Sequence, residues 1–338
     1  MSSAPHPIPG ILVAPDSFKG TFGASAVADA IARGIQRTGF SADRCPVADG
    51  GEGTMAAVLA ATGGRLVQAK AHDPLGREIE TTFALLDGDR CALVETAAAS
   101  GLGWLADAEL DPWRASSYGT GELISSALDT GVELVLVAVG GSGTVDGGSG
   151  ALQALAERPA GIGGVKIVVL SDVQTCWDRC AEVYGPQKGA DAALVRELAA
   201  RLDRQARALP RDPRGVPATG AGGGLSGALW ARYGATLEPG AARVLDTVGF
   251  DQRLQGAIAV ISGEGKIDAQ SAEGKVISEI ARRARRHGVA LQAIVGRCEL
   301  DDAGRRALGI DLIAEATTLE AIEDTAERIA VGCWTKVA

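Results

Sequence analysis

The chain has 338 residues, 46 of them glycine and 3 histidine, with 42 acidic residues against 33 basic ones for a formal charge of −9. Glycine runs at about twice its usual frequency, and a hydrophobic content of 46% is ample for real cores and speaks against disorder. With no basic excess and 4% aromatics, the chain has neither the field nor the stacking surface that nucleic-acid binding uses.

The first apolar run, ILVA (11–14), follows a segment without a basic n-region and is too short for a signal or a span, so a membrane is not an expected partner. The six cysteines, Cys45, Cys91, Cys176, Cys180, Cys298 and Cys333, show no zinc-type spacing and are expected to be reduced, in a cytoplasmic protein. A monomer and a homodimer both remain open.

ILVA stops at Pro15, the pattern of a buried strand. A helix is predicted over Ser25 to Arg37, with Val27, Ile31 and Ile35 on one face. A strand over 43–47 runs into DGGEGT, and another helix begins at Met55. Between 65 and 97 the segments RLVQAKA, REIETTFALL and DRCALVET are extended with no helix between them, which predicts antiparallel pairing. ELVLVAVGG (133–141) and VKIVVLSDV (165–173) read as buried strands around a helical ALQALAER, and the Pro- and Gly-rich stretch 210–227 reads as a long loop. After Gly249 a βα rhythm resumes with AIAVISGEG, a helix near 274–287, LQAIVG and IDLIAEA. The expected fold is α/β with two domains. A discontinuous Rossmann-like parallel-sheet domain takes 1–62 plus 246–338, an inserted mixed-sheet domain takes 63–245, and the active site is expected in the cleft between them.

Nearly every apolar run leads to glycines mixed with Asp, Ser, Thr, Glu or Lys. These are Asp16, Ser17 and Lys19; Asp49 and Glu52; Ser142, Thr144 and Asp146; Ser171 and Asp172; and Glu264, Lys266 and Asp268. In open α/β sheets ligands bind outside the carboxyl ends of strands. APDSFKG, YGTG (118–121), GGSGTVDGGSG (140–150) and GEGKID (263–268) are expected to present backbone amides to an anion, and their number argues for a polyphosphate such as ATP.

Other motifs carry less. GGGLSG (222–227) spells GxGxxG, with Asp246 at a suggestive distance, but follows a Pro-rich loop where a dinucleotide fingerprint needs a strand. Neither Gly265-Lys266 nor Gly274-Lys275 completes a Walker A loop. ARRARRHG (281–288) reads as a solvated helix face, and His6, His72 and His287 are too isolated for a His-centred site.

Nine stretches, APDSFKGT, PVADGGEGT, AHDPLGR, ETAAASGL, SSYGTGELI, GGSGTVDGGSGALQAL, VYGPQKGA, GAGGGL and SGEGKIDAQSAEGKV, resemble in order the bacterial glycerate kinase family. The resemblance implies Mg²⁺-assisted phosphoryl transfer from ATP to D-glycerate, giving 2-phosphoglycerate. Alternatives are 3-phosphoglycerate as product, another short hydroxy acid as acceptor, or a non-catalytic sensor of nucleotide or hydroxy acid. Where the family commonly has DVxNPL this chain has Thr175 and Cys176 in DVQTCW, and Val145 replaces a polar residue in TVDGG.

Phosphoryl transfer asks for positioning, charge neutralisation and a group that orients the acceptor hydroxyl. Expected catalytic residues are Asp172, Asp146, Lys19 and Asp49, with Asp146 and Asp172 also holding Mg²⁺. Asp16, Ser17, Lys19, Arg77, Ser117 and Lys188 are expected to bind substrate, although Arg77 is equally suited to a structural ion pair. Gly119, Thr120, Gly140, Gly141, Ser142, Thr144, Gly147, Gly148, Gly263, Glu264 and Gly265 are expected around the nucleotide phosphates.

Overall fold

The structure, a computed structural model, describes residues 10–18, 20–268 and 275–337. The described strands, in chain order, are β1 (Gly10–Pro15), β2 (Ser41–Arg44), β3 (Arg65–His72), β4 (Glu78–Leu86), β5 (Cys91–Glu95), β6 (Leu134–Ala138), β7 (Lys166–Leu170), β8 (Thr236–Glu238), β9 (Ala257–Ile267), β10 (Ala290–Cys298) and β11 (Leu312–Glu315). The chain forms two compact units. The first takes Met1–Asp49, Ala56–Thr62 and Val244–Ala338; the second takes Gly50–Met55 and Gly63–Arg243.

The first unit holds a parallel sheet in the order β11-β10-β9-β1-β2. In the unit's own strand numbers this is the doubly wound order 2-1-3-4-5, whose direction reverses between β1 and β9. Helices cover parallel sheets on both faces, which is why ILVA and AVIS are unbroken apolar runs. Ile11, Leu12, Val13, Val260 and Ile261 are all fully buried. The helix Ala24–Gln36 turns Val27, Ile31 and Ile35 into this core, beside Ile322, Ala326 and Ile329 of the helix Leu319–Val337. Strand β2 ends at Arg44, earlier than its apolar continuation suggests, yet Cys45 N–H still donates to Val13 O and Val47 N–H to Pro15 O.

The second unit's sheet runs β3-β4-β5-β6-β7-β8. Strands β3, β4 and β5 pair antiparallel, as the helix-free spacing over 65–97 predicts, and β5 to β8 pair parallel. Its core includes Phe83, Leu93, Leu123, Val137 and Val169. A smaller cluster of Val145, Trp177, Cys180, Leu198 and Leu202 lies beside the glycine-rich 140–150 loop. That packing explains the apolar residue at 145, which is fully buried.

Four features differ from expectation, the first being that Leu225–Gly227, read as the end of a loop, begins the helix Leu225–Tyr233. GEGKID is not a loop: residues 263–267 continue β9, in register with β10 through Glu264↔Val295 and Lys266↔Arg297. Residues 281–288 are not uniformly solvated, because Arg283 is buried and pairs with Glu279, Asp246 and Asp251. A 17-residue helix, Ala192–Ala208, capped by Asp191 accepting from Leu194 N–H at 2.8 Å, occupies a stretch for which no element is predicted above.

Candidate active site

In the first unit a cavity of about 410 Å³ opens at the carboxyl ends of β1, β9 and β10. Asp16, Ser17, Asp49, Gly263, Glu264 and Gly265 line it, as do Lys266, Asp268, Lys275 and Arg297. It sits at the reversal of strand order, where doubly wound sheets bind ligands. Asp16 N–H donates to Gly263 O at 2.8 Å and Ser262 Oγ to Ala14 O at 2.8 Å, locking the β1 and β9 ends together. Asp16 Oδ1 accepts Ser17 N–H at 2.6 Å, which fixes the turn after β1. Lys19, expected in this turn, lies outside the described residues.

Opposite charges alternate across the cavity. Lys266 Nζ stands 2.8 Å from Glu299 and 3.4 Å from Asp268, Lys275 Nζ is 3.9 Å from Asp268, and Arg297 Nε is 3.2 Å from Glu299. The hydrogen bond to Glu299 raises the pKa of Lys266 and keeps it charged. Lys275 and Arg297 are absent from the residues expected from sequence. Lys275 was visible as a failed Walker pair, and Arg297 had no signal because it meets the site only through strand pairing.

The second unit uses its strand-end loops differently. Asp146, 5% exposed, is saturated: Oδ2 accepts Ser117 N–H at 2.9 Å, Ser117 Oγ–H at 2.8 Å and Gly150 N–H at 3.1 Å, while Oδ1 accepts Gly148 N–H at 3.0 Å. Lys188, 2% exposed, donates from Nζ to Ser142 Oγ at 2.9 Å and Thr144 O at 2.7 Å. Burial pushes its pKa down to about 8 despite the attraction of Cys180 and Asp146. Gly143 N–H goes to Ser100 O and Gly147 N–H to Gly223 O. The amides of 143, 147, 148 and 150, expected to face an anion, therefore serve protein acceptors. Gly223 is required here, since at φ +68° a Cβ would lie 1.9 Å from Thr144 O. From outside the loop, Arg201 donates to Val145 O at 2.6 Å and Gln205 to Asp146 O at 3.0 Å.

Gly119 and Thr120 lie in the first turn of the helix Tyr118–Asp129, not in a loop. Thr120 Oγ donates to Ser100 Oγ at 2.8 Å, and a Cβ on Gly119 would meet His72 O at 1.9 Å, so this pair packs the helix closely on its neighbours. Gly140 and Gly141 follow β6, close to Gly51 and Glu52. Asp172, after β7, accepts Ala241 N–H with both oxygens at 3.1 Å, at the start of the helix Gly240–Thr247. Arg77 is bound to Asp73, to Glu109 at 2.7 Å and to Trp104 O at 2.9 Å. Glu95, at the end of β5, is a buried carboxyl raised by burial that accepts Met55 N–H at 2.6 Å. It lay unnoticed within ETAAASGL because a lone Glu at a strand end carries no spacing signal.

Among the described residues no group of three or more His, Cys, Asp and Glu side chains could hold a metal by itself. Magnesium is normally held through one or two carboxylates with phosphates and water completing its shell. The first unit's cavity, with Asp16, Asp49 and Asp268, fits such an ion. Asp146, whose oxygens already accept four donors, does not offer it an open face.

A sequence profile described as the glycerate kinase family matches residues 11–161 and 156–331. A glycerate kinase of Haemophilus influenzae is 38% identical over 321 residues, covering 84% of this chain and 85% of the relative. A glycerate 2-kinase of Escherichia coli K12 is 35% identical, covering 91% and 90%. A crystal structure assigned to glycerate kinase 2 from Salmonella typhimurium LT2 superposes with a TM-score of 0.82 at 33% identity, covering 97% of this chain and 99% of that one.

Proposed function

The chain belongs to the glycerate kinase family and is an enzyme of that family, and we propose that it transfers the γ-phosphoryl group of ATP to the 2-hydroxyl of D-glycerate, giving 2-phosphoglycerate and ADP. The observation that carries the chemistry is the cavity at the β1/β9 reversal, where lysines, an arginine and carboxylates meet. Such a mixed lining suits a reaction in which positioning and charge neutralisation supply most of the catalysis. The choice of the 2-hydroxyl follows the name of the Escherichia coli relative.

In this reading Ser17 and Lys266 orient anionic oxygens in the cavity, with Asp49 beside them. Asp16 and Asp268 would hold Mg²⁺, which supplies neutralisation of phosphate charge when bound. Asp172, at the carboxyl end of β7 with both oxygens on Ala241 N–H, is the proposed base that takes the acceptor proton. Asp146 and Lys188 hold the 140–150 loop in shape and reach substrate only through it.

Pure protein with ATP, Mg²⁺ and D-glycerate, with the product identified by phosphorus NMR, tests the proposal. 2-Phosphoglycerate is expected. A 3-phosphoglycerate signal would overturn the position of transfer, and turnover of a different hydroxy acid with none of glycerate would overturn the acceptor. Binding without turnover would overturn the catalytic reading.

A further inference from the structure

We infer that the cavity in the first unit holds the metal-complexed polyphosphate of the nucleotide, with Lys275 as an anion contact, and does not hold the carboxylate of glycerate. The inference rests on the proposed kinase reading and adds which substrate this unit takes.

Charge argues first. Among the described residues the lining carries four carboxylates, Asp16, Asp49, Glu264 and Asp268, and three cations, Lys266, Lys275 and Arg297. A lone monoanion would engage only the cations of that lining and leave the carboxylates beside it uncompensated. A metal polyphosphate has both signs and can satisfy both sets, its cation facing Asp16 or Asp268 and its oxygens facing Lys275 and Arg297.

Size and position agree. The volume, about 410 Å³, lies within the ~300–1,000 Å³ range of ligand pockets. At ~30 Å³ per water it has room for about a dozen, so a three-carbon acid would leave most of it empty. The cavity occupies the strand-order reversal, where this sheet type places phosphate-bearing cofactors.

Lys275 is the more loosely held of the two lysines. Lys266 has a carboxylate at 2.8 Å and another at 3.4 Å, whereas Asp268 stands 3.9 Å from Lys275. Its side chain is 37% exposed and lines the cavity, immediately before the helix Val276–His287. It can thus turn to a phosphate without breaking a close ion pair.

Calorimetric titration of MgADP, metal-free ADP and D-glycerate into wild type, Lys275→Ala and Lys275→Arg tests this independently of turnover. Lys275→Ala should weaken MgADP about ten- to a hundredfold, the range for a charge-assisted hydrogen bond, with glycerate affinity unchanged and partial recovery in Lys275→Arg. Asp268→Asn should weaken MgADP more than metal-free ADP. Should Lys275→Ala fail to fold, Arg297→Ala is read the same way. An active wild type whose Lys275→Ala form loses glycerate affinity and keeps MgADP would overturn the inference while leaving the kinase reading intact. A wild type that neither phosphorylates glycerate nor binds it would overturn the kinase reading instead.

Discussion

The cavity in the first unit and the Asp146 loop in the second are built from the same ingredients, a strand end followed by glycines, acids and a lysine, yet they use them in opposite ways. Around β1 and β9 the charged groups line open volume. Around Gly140–Gly150 the carboxylate accepts four hydrogen bonds and the lysine donates two, all within the protein. A glycine-rich strand end can thus face open volume or consume its donors, and what decides is whether a protein acceptor, Asp146 within the loop or Ser100 O and Gly223 O from elsewhere, already takes them.

The largest effect that tests this contrast is Asp146→Ala. Removing a buried acceptor of four donors should cost at least about 3 kcal/mol, since each stranded buried group costs about 1–3 kcal/mol without full additivity. Urea unfolding reads it, and a loss below about 1 kcal/mol would show that solvent already satisfies these amides. Asp172→Asn should lower kcat by at least about a hundredfold, in the range of general-base loss, with thermal stability close to wild type because the amide oxygen can still cap Ala241. Wild-type turnover would leave Asp172 as a helix cap only.

Lys188→Met should destabilise by about 1–3 kcal/mol through the stranded Ser142 and Thr144 acceptors. The comparison sharpens with pH. The folded pKa, about 8, lies below the unfolded value of about 10.4, so between these the unfolded chain binds more protons and stability rises with pH. The stability advantage of wild type over Lys188→Met should grow from pH 8 to pH 10; a flat difference would mean that Lys188 is not buried. The smallest effect is expected from Arg77→Ala. Its side chain is 48% exposed and serves Asp73 and Glu109, so only a small loss of stability, read by urea unfolding, should go with an unchanged KM for glycerate. A large rise in KM would restore Arg77 to the substrate site.

Much of the fold is legible where periodicity is strong. Val27, Ile31 and Ile35 declare the first helix, and the short helix-free spacing of 65–97 declares antiparallel strands. The 263–268 segment misleads because Gly-Glu-Gly composition is that of a turn, while parallel pairing with β10 holds it extended. The helix Ala192–Ala208 is legible as well, since Leu194, Leu198, Leu202 and Ala206 recur every four residues and pack with Val195 and Ala199 beside Trp177, although no element is predicted there above. In the site, Asp16, Ser17, Asp49 and Glu264 are visible as polar residues at strand ends, and the structure gathers them at one cavity. Arg297 could not be seen, because its place is fixed by register with Lys266 across 31 positions of chain.

By itself the sequence determined the α/β class, the family and the polar residues at the strand ends, because burial on both strand faces and recurrent bare backbone leave local signatures. Tertiary structure decided which of those residues keep their charge for a ligand. Lys188 spends its charge on Ser142 and Thr144, and Asp146 spends its own on Ser117 as well as on Gly148 and Gly150 of its own loop, whereas Lys275 has only Asp268 at 3.9 Å among the described residues, a difference that depends on what packs alongside.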